Sequence, residues 1–135
     1  AKRKSSNFPS QCYVGGIGLG GLAAATAPLT FRKDGLLGRV VAGIALDAQS
    51  LAEFSNRSFV EDENFLAESR LLSVVGDQDE RSARVHSMSR TMSLLRKGRE
   101  AHPVELANTT VEEALLRMRA DDDLIVPMLL AFLFP

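Results

Sequence analysis

The apolar residues between Leu36 and Glu53 recur as Leu37, Val40, Val41, Ile44, Ala48 and Leu51, opposed by Arg39, Asp47, Gln49 and Glu53. That spacing predicts a helix over 36–55. Ser58-Phe59-Val60-Glu61 has the form of a capping box, and Glu61, Asp62 and Glu63 suit the positive end of a helix dipole. Phe65, Leu66, Leu72 and Val75, widened by Leu71 and Val74, would be its buried stripe, with Gly76-Asp77 as the stop. A further helix is expected from Asp79 to Lys97, with Val85, Met88, Met92 and Leu95 inward and Gly98 behind it. His102-Pro103 is read as a connection. Thr109-Thr110-Val111-Glu112-Glu113 holds two overlapping capping boxes, and Val111, Ala114, Leu115 and Met118 form one helical face.

The two ends of the chain differ from this middle. Residues 1–13 read as a basic, flexible tail. Residues 14–31 form a glycine-rich apolar segment, and 36–135 the helical domain. Asp121-Asp122-Asp123 precedes Leu124 to Pro135, a stretch without a charge, in which Pro127 suits an early helical turn. No run alternates apolar and polar residues long enough to define a strand. Arg39 to Leu46 has the composition of a buried strand, but its flanks favour a helix. The expected fold is all-α, a small bundle of about four to five helices with an apolar N-terminal segment and an apolar C-terminal helix.

Composition narrows the functional classes. At 135 residues, 45% apolar and 24% charged, the chain suits one globular domain. Its formal net charge of −1 points to no polyanionic partner. The single Cys12 excludes an intrachain disulfide framework and an all-cysteine metal site. Charge is nonetheless segregated. Residues 61–80 hold seven acidic and one basic residue, whereas 81–100 hold six basic and one acidic. Such blocks pair within a domain or face oppositely charged neighbours in an assembly.

Lys2-Arg3-Lys4 and the uncharged span after it have the layout of a secretory leader, and Ala25-Thr26-Ala27 fits its cleavage pattern. The segment is expected to stay in the protein. Val14 to Phe31 has the length of a membrane span, but its glycines and Pro28 make it a poor one. Contact with a partner or a membrane surface is the expectation, through Val14, Ile17, Leu19, Leu22, Leu29 and Phe31. At the other end Leu129, Leu130, Phe132 and Phe134 would make such contacts. Gly16, Gly20 and Gly21 are expected to permit close helix packing.

Gly16-Ile17-Gly18-Leu19-Gly20-Gly21 also satisfies G-x-G-x-x-G, and with Leu22-Ala23-Ala24-Ala25 it resembles the dinucleotide-binding turn of flavin-dependent oxidoreductases. The resemblance covers about a dozen residues and implies a pyrophosphate at a helix N-terminus. It departs from that pattern in three ways. Only Cys12-Tyr13-Val14 is available as the first strand, Pro28 interrupts the helix, and Asp34 and Asp47 are badly spaced for the ribose. His86 and His102 lack ligand-spaced partners, the aspartate triplet lacks the spacing of a calcium loop, and no G-x-S-x-G is present.

The reading that results is a non-enzymatic structural or accessory subunit of a larger assembly, a membrane-associated complex or a virion. No catalytic residue, cofactor or metal site is expected. Its partners would be other protein subunits, with membrane or lipid contact through the apolar ends. Nucleic acid is a minor alternative, through the basic tail and the Arg81–Arg99 helix. The localisation favoured is a membrane or a large particle. The alternatives are a nucleotide-binding enzyme module on the Gly16–Gly21 turn and a helical adaptor docking through its C-terminal helix.

Overall fold

The computed structural model describes residues 12–30, 40–46 and 70–135, the side chains of 12, 26–30 and 40–43 excepted. It overturns the all-α expectation. Four strands, β1 (Cys12–Ile17), β2 (Val40–Leu46), β3 (Arg70–Gly76) and β4 (Glu100–Leu106), form one sheet in the order β1-β2-β3-β4. Every pair is parallel. The helices are α1 (Leu19–Thr30), α2 (Arg81–Arg96), α3 (Val111–Leu116) and α4 (Ile125–Leu133).

A parallel sheet needs cover on both faces. Ala45, Leu71 and Ala101 point to one face, where they meet Ala25 of α1 and Leu94 of α2. Ile44, Leu46, Leu72, Val74 and Leu106 point to the other, against Val111 and Ala114 of α3 and Ile125 and Phe132 of α4. Because strand order follows chain order, right-handed crossovers carry α1 and α2 to a common face. The C-terminal helices close the opposite one.

This double cover explains the misread elements. β3 is buried from Leu71 through Gly76, so both faces of the strand are apolar and no alternation is left. The same residues also fit a helical stripe, which is why the expected 58–76 helix ends in a strand instead; its part 58–69 lies outside the described residues. The 36–55 helix is likewise replaced over Val40–Leu46 by β2. His102-Pro103 lies inside β4 rather than in a connection. Pro103 has no N–H to give a neighbour, and β4 is one of the two outer strands of the described sheet, where that costs least.

The helix ends show ordinary local chemistry. Thr110 caps α3, its hydroxyl accepting from the Glu113 N–H at 3.1 Å. Asp123 Oδ1 accepts from the N–H groups of Ile125 and Val126 at 2.8 and 3.0 Å and so fixes the start of α4. Gly98 follows α2 at φ +75°, a conformation that favours glycine.

α2 is present where expected, but it is turned over. Ala83, Ser87, Arg90, Thr91 and Leu94 face the sheet. Ser87 shares a hydrogen bond with Ser73 of β3, and Thr91 Oγ1 donates to the Ser87 carbonyl at 2.8 Å. Val85, Met88, Met92 and Leu95, expected inside, are exposed. The membrane-span expectation is also corrected. Among the described residues no helix is long and apolar enough to cross a membrane.

Candidate functional site at the carboxyl end of the sheet

The glycine-rich run is neither a helix nor a span. It is a strand, one turn residue and a helix start. Gly16 lies in β1, Gly18 makes the turn and Gly20 lies in the first turn of α1. A Cβ on Gly16 would stand 2.1 Å from the Gly20 carbonyl oxygen, so the strand and the returning helix touch backbone to backbone. Gly18 has φ +62°, the left-handed conformation that turns the chain sharply. Its N–H donates to the Leu46 carbonyl at 3.0 Å, which ties the turn to the end of β2. The Leu22 N–H returns to the Gly18 carbonyl at 3.1 Å. Among the described residues nothing lies within 4 Å of where side chains on Gly18 or Gly20 would begin. The turn is therefore tight below and open above.

The neighbouring strand ends are closed. Asp77 accepts from the N–H groups of Asn108 and Thr109 at 2.9 and 3.2 Å. These bonds, the Asn108 N–H foremost, hold its carboxyl below the usual aspartate range. Asp79 Oδ2 accepts from the N–H groups of Gly76 and Val111 at 2.6 and 3.1 Å. Two carboxylates thus staple the turn after β3 to the turn after β4. Beside the latter lies a groove of about 280 Å³, lined among others by Asn108, Thr109, Glu113 and Arg117. Arg117 pairs with Asp122 at 2.7 Å.

A second polar cluster sits toward the amino end of the strands. Glu100 bridges Arg70 and His102, the latter at 3.0 Å. The Arg70 guanidinium lies 4.5 Å above the Phe132 ring centroid and donates to the Phe132 carbonyl at 3.0 Å. His102 and Tyr13 meet the same ring edge-on. Pairing with Arg70, then with His102, lowers the Glu100 pKa. The cluster anchors the end of α4 beside a groove of about 270 Å³.

The residues expected to make partner contacts are dispersed. Ile17 and Leu19 are exposed around the turn, Val14 is half-buried and Leu22 is in the core. Gly21 is buried. Leu29 belongs to α1, its side chain outside the description, and Phe31 lies outside the described residues. In α4, Phe132 is buried and Leu129 packs against the core, while Leu130 and, just beyond the helix, Phe134 are exposed. Among the described residues no three His, Cys, Asp or Glu side chains converge as metal ligands. Sequence reasoning reaches Gly18 only as a member of the G-x-G-x-x-G match, not as the turn residue between a strand and a helix. Its signal was the alternation Gly16-x-Gly18-x-Gly20, in which the glycines themselves belong to the strand and the helix.

Comparison with protein-family models and with characterised proteins returns no match for this chain.

Proposed function

We propose that this chain is a non-hydrolytic binding domain built on a strand–turn–helix of the nucleophile-elbow kind, with glycine at the nucleophile position. In that device, G-x-S-x-G, the outer glycines let strand and helix approach, and the central residue sits on a strained turn above a parallel sheet. Gly16-Ile17-Gly18-Leu19-Gly20 has the spacing, an approach of its outer glycines so close that a Cβ on Gly16 would stand 2.1 Å from the Gly20 carbonyl oxygen, and the φ of +62° at its centre. That conjunction carries the reading.

The chemistry is the other half of it. Gly18 offers no hydroxyl. The acid that follows in chain order, Asp77 or Asp79, is engaged by backbone N–H groups, and the turn after β4 carries Asn108-Thr109-Thr110 and no imidazole. His102 lies toward the other end of β4 and His86 lies on α2. Among the described residues a nucleophile, a base and an orienting acid are not assembled. The device keeps its donors, however. N–H groups in the first turn of a helix lack intrahelical acceptors, and the one after the elbow residue, Leu19 here, is the group that binds a carbonyl oxygen or an anion. The domain would accept a carboxylate or acyl oxygen at Leu19–Gly20 without forming a covalent bond.

A second reading has one observation in its favour. The G-x-G-x-x-G run now follows a strand and opens a helix within a βαβ unit, the context that dinucleotide binding demands. Strand order argues the other way, since the sheet of the described residues shows no reversal beside β1 at which such ligands settle.

Amide NMR during titration with a short-chain carboxylate, and separately with ADP, tests both. Shifts centred on Leu19, Gly20 and Gly21 with the carboxylate, and no turnover of a p-nitrophenyl ester, are expected. ADP acting at these amides while the carboxylate does not would move the assignment to the second reading. Ester turnover that follows the purified chain would refute the non-hydrolytic one.

A further inference from the structure

The helix α2 carries two stripes, and the apolar one points away from the sheet. Val85, Met88, Met92 and Leu95 are 54, 43, 39 and 42% exposed, whereas Ser87, Arg90 and Thr91 are almost wholly buried. The exposed four are spaced three, four and three residues apart, the 3.5-residue repeat of a helix–helix seam. A surface helix normally does the reverse, and these four belong to neither core cluster of the described residues.

We infer that this stripe is a docking seam for an amphipathic helix of a partner protein whose apolar stripe is flanked by acidic residues. The spacing selects a helix as the occupant, because an extended strand would meet side chains at every second residue instead. Charge selects its sign. Apart from Arg90, which is buried against the sheet, residues 81–99 carry five basic residues and no acidic one. Arg81 and Arg96 are exposed at either end of the seam, and Arg84 is half-buried one residue before Val85. A second copy would bring the same cations together at close range, and like charges beside a seam oppose pairing. A nucleic acid would use the cations but leave the methionines and Leu95 against water. Methionine in such a stripe also suits adaptable helix recognition. The inference is independent of the Gly18 turn.

The test uses the full chain and a fluorescent three-heptad peptide with leucine at the seam positions and glutamate flanking them. The same peptide with lysine flanks is the control. The glutamate peptide is expected to bind at least about tenfold more tightly than the lysine one, and more weakly as salt rises from about 50 to about 300 mM. Met88→Glu with Met92→Glu, both at exposed positions, should weaken it by about tenfold or more with the circular dichroism unchanged. Leu116→Glu, at an 82% exposed site away from the seam, should leave binding unchanged. Equal affinity for the two peptides, or none for the glutamate peptide at about 100 μM, overturns the inference. Self-association abolished by the double substitution, or tighter binding of a mixed-sequence oligonucleotide than of the peptide, overturns it too.

Discussion

Two junctions at the carboxyl end of the sheet are built on the same steric device and finished differently. At the end of β1, a Cβ on Gly16 would stand 2.1 Å from the Gly20 carbonyl oxygen. At the end of β3, a Cβ on Gly76 would stand 2.1 Å from the Thr109 carbonyl oxygen. Both need glycine because backbone passes against backbone. Beyond that contact they diverge. The β3 junction is saturated: two aspartates accept four backbone N–H groups, from Gly76, Asn108, Thr109 and Val111. The β1 junction ends at Gly18 with no atom of the described residues above it. Saturated donors hold a fold together, and donors left facing solvent are free to hold a ligand. On the function proposed above, the pair would separate a structural closure from a binding turn.

The largest expected effects come from breaking the shared contact. Gly76→Ala and Gly16→Ala each drive a methyl into a backbone carbonyl that cannot swing aside, and should each cost about 3 kcal/mol or more. Urea unfolding measures it. A loss near that of an ordinary surface substitution at either site would show that the close approach is not real. Asp79→Ala comes next. It leaves the N–H groups of Gly76 and Val111 without their acceptor, at a cost of about 2 kcal/mol. An unchanged urea midpoint would mean that water replaces the carboxylate at both N–H groups.

How far this was legible in the sequence depends on what each residue has to satisfy. α2, α3 and α4 are readable because caps and stops act locally: Thr110 on Glu113, Gly98 at positive φ, Asp123 on the amides of Ile125 and Val126. β2 and β3 were not readable, because a strand covered on both faces loses the alternation that announces it. Ile44-Ala45-Leu46 and Leu71-Leu72 then match a helix equally well. The orientation of α2 was hidden for a related reason. Hydropathy assigns Ser87, Arg90 and Thr91 outward, yet serine and threonine there are satisfied by Ser73 and the helix's own carbonyl. Arg90 is buried at a price visible in its acidity, with desolvation pulling it down to about 10. The Gly18 turn was half legible. The three alternating glycines were noticed as a phosphate-binding pattern, but the strand containing Gly16 was invisible without the pairing to β2.

A smaller effect sharpens the contrast between Gly16 and Gly18, two residues apart. Gly18→Ala meets no atom of the described residues, so the left-handed backbone conformation alone is expected to be penalised, by about 1 kcal/mol. Gly18→Ser should behave similarly in urea. If Gly18→Ala proves as damaging as Gly16→Ala, the space above the turn is not open, and the binding reading loses its ground.

The smallest expected effect is one of pH, and it acts on the saturated junction only. Asp77 has its pKa lowered in the folded protein, chiefly by the Asn108 N–H. A depressed folded value means that the unfolded chain binds more protons as the carboxyl titrates. The stability Asp77 contributes is then complete above the unfolded value of about 3.9 and is lost as pH falls through the folded one. Thermal unfolding from about pH 5 downward should therefore lose less in Asp77→Asn than in the wild type. What acid sensitivity persists in the variant has named sources: Glu100, lowered by Arg70, and Asp123, lowered by the Arg119 N–H, shift in the same direction. Gly18→Ala supplies the matching control. No titratable side chain belongs to that turn, so its acid limb should run parallel to that of the wild type at lower absolute stability. Were Asp77→Asn to retain the full wild-type acid slope while Gly18→Ala altered it, the two junctions would have been assigned the wrong way round.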